Sequence, residues 1–140
     1  MRFVDTNVLI YAVSNAPDED SKRGRARELL SEPDLALSVQ VLQEFYNQAT
    51  HTSSPNRLSH EAAMRFLEPV MGMPIQAITL PVFREAVAIR HRLGLSYWDA
   101  AILAAARALG CEAVYSEDLS SQQDYSGIRV LNPFEHLAAR

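Results

Sequence analysis

Arg2-Phe3-Val4-Asp5-Thr6-Asn7-Val8-Leu9-Ile10 is the stretch that decides the fold. A short β-prone run, residues 2–4, meets a carboxylate and two small polar residues, and an apolar stretch follows over residues 8–13. Outward from it, Asn15-Ala16-Pro17-Asp18 marks a turn, and residues 22–30 read as a helix with Ala26, Leu29 and Leu30 on one face. Leu35-Ala36-Leu37 is the next strand candidate. Ser38 then caps a helix in which Val39, Leu42, Tyr46 and Ala49 recur at helical spacing. Residues 51–58 form a loop, and the helix expected over 59–68 stops before Pro69. Residues 75–79 suit a strand. Pro81 opens and Gly94 closes a helix whose Val82, Ala86, Ile89 and Leu93 share a face. The strongest helix runs over 96–109, where Ser96 and Asp99 make a capping box. Two further strands, 112–115 and 128–131, flank a polar loop over 116–127.

Five strand candidates alternating with helices define an α/β domain with a mostly parallel sheet of about five strands, covered on both faces. Such sheets bind ligands at the carboxyl ends of their strands, which puts Asp5 and Asp118 on one rim. The 140 residues, 48% hydrophobic and 21% charged, suit one domain over 1–140, with no repeat or composition break. Thirteen Lys+Arg against 17 Asp+Glu leave a net charge of −4. That excludes holding nucleic acid by bulk positive charge, but not through bound cations. A single cysteine, Cys111, excludes an internal disulfide and a Cys-rich zinc site, and suits a reducing cytoplasm. Asp5 stands where a signal peptide needs an apolar core, and no apolar run approaches the ~20 residues that span a bilayer, so neither secretion nor a membrane is expected. The four histidines lack metal-ligand spacing, and the five glycines form no phosphate-binding loop.

Carboxylates gathered at one rim raise one another's pKa, and a hard divalent cation such as magnesium or manganese resolves the conflict. The candidates are Asp5, Glu44, Asp99 and Asp118. Each also has a local explanation. Asp5 can cap the following helix, and Asp99 can serve the capping box. Glu44 projects away from the Val39–Leu42–Ala49 stripe, as on a solvated face. Asp118 shares its polar loop with Glu117 and Asp124. The one basic cluster, residues 22–27, reads as a solvated helix face, or as a flank to the groove through Arg23, Arg25 and Arg27. Lys22 is the only lysine.

Four motifs in order carry a resemblance: Asp5-Thr6-Asn7-Val8-Leu9-Ile10-Tyr11, Gln43-Glu44-Phe45, Leu95-Ser96-Tyr97-Trp98-Asp99-Ala100 and Val114-Tyr115-Ser116-Glu117-Asp118-Leu119, with Val130-Leu131-Asn132-Pro133-Phe134 at the end. Along its whole length the chain resembles the PIN domain family, as found in VapC-type toxins of bacterial toxin–antitoxin pairs. The resemblance implies a three-layer α/β/α domain acting as a metal-dependent ribonuclease. It implies that Asp5, Glu44, Asp99 and Asp118 hold magnesium or manganese, with Thr6, Asn7 and Ser116 in supporting positions. It further implies an RNA substrate, a homodimer and a VapB-like antitoxin partner. The apolar faces of the helices that begin at Ser38 and Ser59 are candidate surfaces for those partners. Two other classes remain beside it. A phosphoryl-transfer domain needs a lysine at a later strand end, and Lys22 is not there. A non-catalytic PIN-like module that binds RNA or protein needs the loss of an acidic position, and all four are present.

Overall fold

The computed structural model describes residues 1–120, 124, 125 and 127–137. The first strand, β1 (Arg2–Val4), runs into α1 (Thr6–Ala12), followed by a 3-10 turn (Pro17–Glu19) and α2 (Asp20–Leu30). Then come β2 (Leu35–Ser38), α3 (Val39–Thr50), α4 (His60–Val70), β3 (Ile75–Gln76), α5 (Leu80–Leu93) and α6 (Tyr97–Ala108). The chain closes with β4 (Ala113–Tyr115), β5 (Asp124–Tyr125) and β6 (Ile128–Leu131). The sheet order is β3-β2-β1-β4-β6-β5, parallel throughout except for the β5–β6 edge pair. The chain leaves β1 toward β2 on one side and returns as β4 on the other. The β1/β4 boundary is therefore the switch point at which open α/β sheets form a crevice.

Six strands stand where about five are expected, because the polar loop contains β5, two residues that pair antiparallel with β6. The third strand is shorter than the expected 75–79. Its partner β2 ends at Ser38, which turns away to cap α3, and Thr79 is taken up as the N-cap of α5. The fourth helix passes through Pro69 instead of stopping before it. Pro69 sits in the last turn, where its missing amide costs one bond, and Met71 N closes the turn on the Leu67 carbonyl at 2.9 Å.

Strand side chains alternate between two cores, which makes the three layers. Phe3, Ala36, Val114 and Val130 face a core shared with α3, α4, α5 and α6. Val4, Leu35 and Tyr115 face the other, with Val8, Ala12, Ala26 and Leu29 of α1 and α2. Helix α6 is buried from Ala100 to Ala106 on every side, and its alanines let it lie close to both sheet and α5. Helix α3 buries Val41, Phe45 and Ala49; of the expected stripe Ala49 is buried, Val39 and Leu42 are half-buried, and Tyr46 is exposed. Phe45, fully buried and against Phe66 at 5.0 Å, sets that rotation. Leu93 is likewise exposed, leaving Ala86 and Ile89 as the buried residues of α5. Among the described residues no helix is long and apolar enough to cross a membrane.

Gly94 ends α5 in the left-handed region at φ 70, and its amide donates to the Arg90 carbonyl at 2.8 Å. A Cβ meets no neighbour there, so the cost of one is purely that of the backbone conformation. We expect Gly94→Ala to lose about 1 kcal/mol, or about 3 °C in thermal midpoint, measured by calorimetry.

Candidate active site

Asp5 ends β1 and caps α1, with extended backbone and its Oδ1 accepting from the first helical amide, Thr6 N, at 2.7 Å. From the neighbouring strand end, the Ser116 hydroxyl donates to Asp5 Oδ2 at 2.8 Å. Ser116 Oγ in turn accepts from the amides of Asp118 and Leu119 at 3.1 and 3.3 Å. One fully buried hydroxyl thus shapes the loop after β4 and anchors the carboxylate at the end of β1. Asp5 is only 5% exposed. Burial raises its pKa to about 6, with the negative charges of Asp118 and Glu44 pushing the same way, against the lowering effect of the Ser116 and Thr6 bonds.

Glu44 is drawn in from α3. The Thr6 hydroxyl donates to its Oε1 at 3.3 Å, and Gln40 Nε2, one turn earlier, donates to the same atom at 3.1 Å. The expectation of a solvated face fails here because Phe45 turns the helix and carries Glu44 to the flank of α1. Gln40 also reaches the Trp98 carbonyl at 3.2 Å, tying α3 to the first turn of α6. In that turn Asp99 N donates to Ser96 Oγ at 3.1 Å, which is half of the expected capping box. The return bond is absent: among the described residues the Asp99 carboxylate has no hydrogen-bond or ion-pair partner. Local capping therefore does not account for it, and it lines the cleft instead. Asp118 Oδ2 accepts from Asn7 Nδ2 at 3.1 Å, while Asn7 Oδ1 accepts from Glu117 N at 3.4 Å.

These side chains surround one cleft of about 310 Å³. Asp5, Glu19, Glu44, Asp99, Glu117 and Asp118 line it, with Thr6 and Asn7, and among the described residues no lysine or arginine does. All four acids expected from the sequence are brought together. Glu19, Gln40, Gln48 and Tyr11 were not foreseen in this neighbourhood. Gln40 precedes Glu44 by one helical turn and Tyr11 follows Asn7 by one, a spacing that puts each pair on one face.

The three arginines of the basic cluster do not flank the cleft. Arg23 pairs with Asp20 at 2.7 Å and donates to the Ser14 carbonyl; Arg27 donates to the Ala12 carbonyl and Arg25 to the Pro133 carbonyl. These arginines fasten α2 to the end of α1 and to the C-terminal turn, because the carbonyls there lack helical partners.

The donor set is hard oxygen throughout, which suits magnesium or manganese and not zinc. Among the described residues no three acidic, histidine or cysteine side chains already form a closed cation cage. Magnesium keeps several waters and takes one or two carboxylates directly, so an open acidic cleft of this size fits it. A carboxylate whose pKa is raised chiefly by burial, and further by its acidic neighbours, also gains from a cation, which offsets the lost solvation and the repulsion together.

The sequence profile of the PIN domain family matches residues 2–128. Among solved structures, VapC20 of Mycobacterium tuberculosis, described as a sarcin–ricin loop cleaving toxin, is 22% identical, with a TM-score of 0.66, over 84% of this chain and 90% of that one. A toxin–antitoxin complex from Klebsiella pneumoniae is 24% identical, TM-score 0.70, over 96% and 99%. FitAcB from Neisseria gonorrhoeae is 19% identical, TM-score 0.65, over 96% and 99%. At these identities the likeness is one of fold. No curated protein matches the chain.

Proposed function

Because this chain belongs to the PIN domain family, we propose that it is a metal-dependent endoribonuclease, the toxin of a toxin–antitoxin pair acting in the cytoplasm. The observation that carries the reading is the cleft itself. Carboxylates that follow β1 and β4 and others from α3 and α6 face one another, and among the described residues no cation of the protein's own lines the space.

In this reading Asp5, Asp99, Glu44 and Asp118 hold Mg2+ or Mn2+. The ion, when bound, supplies Lewis acidity toward the RNA phosphodiester and toward the attacking water. The chain's residues do the positioning. Ser116 and the Thr6 amide fix both oxygens of Asp5, so one carboxylate is pre-oriented before any ligand arrives. Thr6 and Gln40 restrain Glu44, and Asn7 restrains Asp118. Asp99, without a partner among the described residues, is the acid most free to follow the ligand. Among the described residues no protein cation lines the cleft to meet RNA phosphates, so their approach depends on the bound ion neutralising the acids.

The test is cleavage of a labelled RNA pool by protein freed of any copurified antitoxin, in magnesium, in manganese and in chelator. We expect cutting only with metal, and a loss of roughly 100-fold or more in Asp99→Asn, whose change touches no structural bond of the carboxylate. Well-folded wild type that cuts nothing with either metal overturns the nuclease and leaves a binding module.

The solved relatives include a toxin–antitoxin complex, and a small antitoxin is the partner proposed here. A homodimer is proposed as well, on a different surface from the helix faces first considered. Val41, Phe45, Ala63, Leu67 and Val70 of α3 and α4 are spent on the core. The most exposed apolar side chains among the described residues are Ile78 just before α5, Leu80, Phe83 and Val87 on it, and Trp98, 63% exposed, beside them; Tyr46, Met71 and Leu93 are exposed to a lesser degree.

A further inference from the structure

Lys22, the only lysine, is committed to one carboxylate across the fold, Glu117. Its Nζ lies 2.6 Å from Glu117 Oε2 and donates to the Tyr11 hydroxyl at 3.1 Å. That hydroxyl donates to the other oxygen, Glu117 Oε1, at 2.6 Å. Both oxygens of Glu117 are therefore engaged, one by an ammonium from α2 and one by a phenol from α1. The ammonium also stands 4.7 Å from the Tyr11 ring centroid and 5.8 Å from that of Phe134, and those two rings meet edge to face at 4.9 Å. Aromatic faces on one side and a carboxylate on the other give Lys22 a defined seat. Among the described residues the carboxylate of Asp118, the next residue, holds only the neutral Asn7 amide.

We propose that Lys22 and Tyr11 form a clamp that withholds Glu117 from the cation, leaving Asp118 as the fourth acid. The inference rests on the metal reading above. To ligate an ion, Glu117 must give up a charge-assisted bond to Lys22 and a bond to Tyr11. It must also bring the ion toward an ammonium that repels it. Asp118 gives up one bond to a neutral amide. The clamp also limits the charge of the cleft, since Lys22 cancels one of the carboxylates that line it. Lys22 is thus a positioning residue, acting through Glu117. Its place in the sequence, inside a basic run on α2, does not suggest this role.

The test is Mn2+ binding to the full chain by isothermal titration calorimetry at pH 8, with thermal melts to confirm folding of every variant. Asp118→Asn should weaken binding about tenfold or more. The double variant Lys22→Met/Glu117→Gln removes the pair without changing net charge, so binding should stay within about threefold of wild type. Lys22→Met alone frees Glu117 and should tighten binding, while Lys22→Arg, which keeps the charge, should not. A double variant as weak as Asp118→Asn makes Glu117 a ligand and overturns the clamp. An Asp118→Asn variant that binds like wild type overturns it equally. Wild type that binds no Mn2+ removes the metal reading itself, and the clamp with it.

Discussion

Asp5→Asn should abolish RNA cleavage and, in chelator at pH 8, unfold at a higher temperature than wild type. The two effects have one cause. The Asp5 pKa is raised from 3.8 to about 6 in the fold, chiefly by burial. The native state then binds this proton more tightly than the unfolded chain does. Stability from this group is present below the unfolded value and is lost as pH rises from about 4 through about 6. Above that range the ionised carboxylate costs about 3 kcal/mol. Asparagine removes the charge, but in either orientation its amide leaves one hydrogen bond mismatched. Thr6 N and the Ser116 hydroxyl are both donors to the present carboxylate, so one donor would face another. The net gain should therefore be smaller, about 1–2 kcal/mol.

Manganese should reverse the order. At a free concentration near 100 times its dissociation constant it stabilises the wild type by about 2.7 kcal/mol and the variant by much less. Because proton and cation compete for Asp5, the wild type's manganese-induced rise in melting temperature should fade below pH 6. Differential scanning calorimetry of both proteins, with and without manganese across pH 5–8, checks the sign. An Asp5→Asn variant less stable than wild type in chelator would show that Asp5 is a structural cap and not a strained acid.

Ser116→Ala should be the most destabilising single change near the site. Its hydroxyl is wholly buried, donates to Asp5 and accepts from two backbone amides. Alanine leaves those amides and a buried carboxylate oxygen without that partner, a loss of about 3 kcal/mol measurable by urea unfolding. The Ser116 bond also lowers the Asp5 pKa, so its removal should raise it further. The pH midpoint for manganese binding should accordingly move to higher pH. A purely structural serine would shift the urea midpoint and leave that pH profile in place.

Much of the fold is legible along the chain because its signals are short-range. Ser38, Ser59 and Ser96 each accept from an amide three residues on, and Gly94 takes the left-handed turn that other residues resist. The alternation of short strands and helices sets the class. The misreadings occur where a tertiary demand competes with a local one: Thr79 leaves the strand to cap α5, Pro69 is carried inside a last turn, and Phe45 rotates α3. The same rotation makes Glu44 part of the cleft, against its pattern.

The sequence by itself determined the alternation of elements, the caps at Ser38 and Ser96, and an acid just after the first strand. Each depends on residues within a turn or two of one another. Only the tertiary structure decided which acids meet and which are already spoken for. Asp5 finds Ser116 across 111 residues, and Lys22 finds Glu117 across 95. Which distant carboxylate receives a hydroxyl, an amide or the single lysine depends on the order of strands in the sheet, and that order is set by packing among segments that carry no local trace of it.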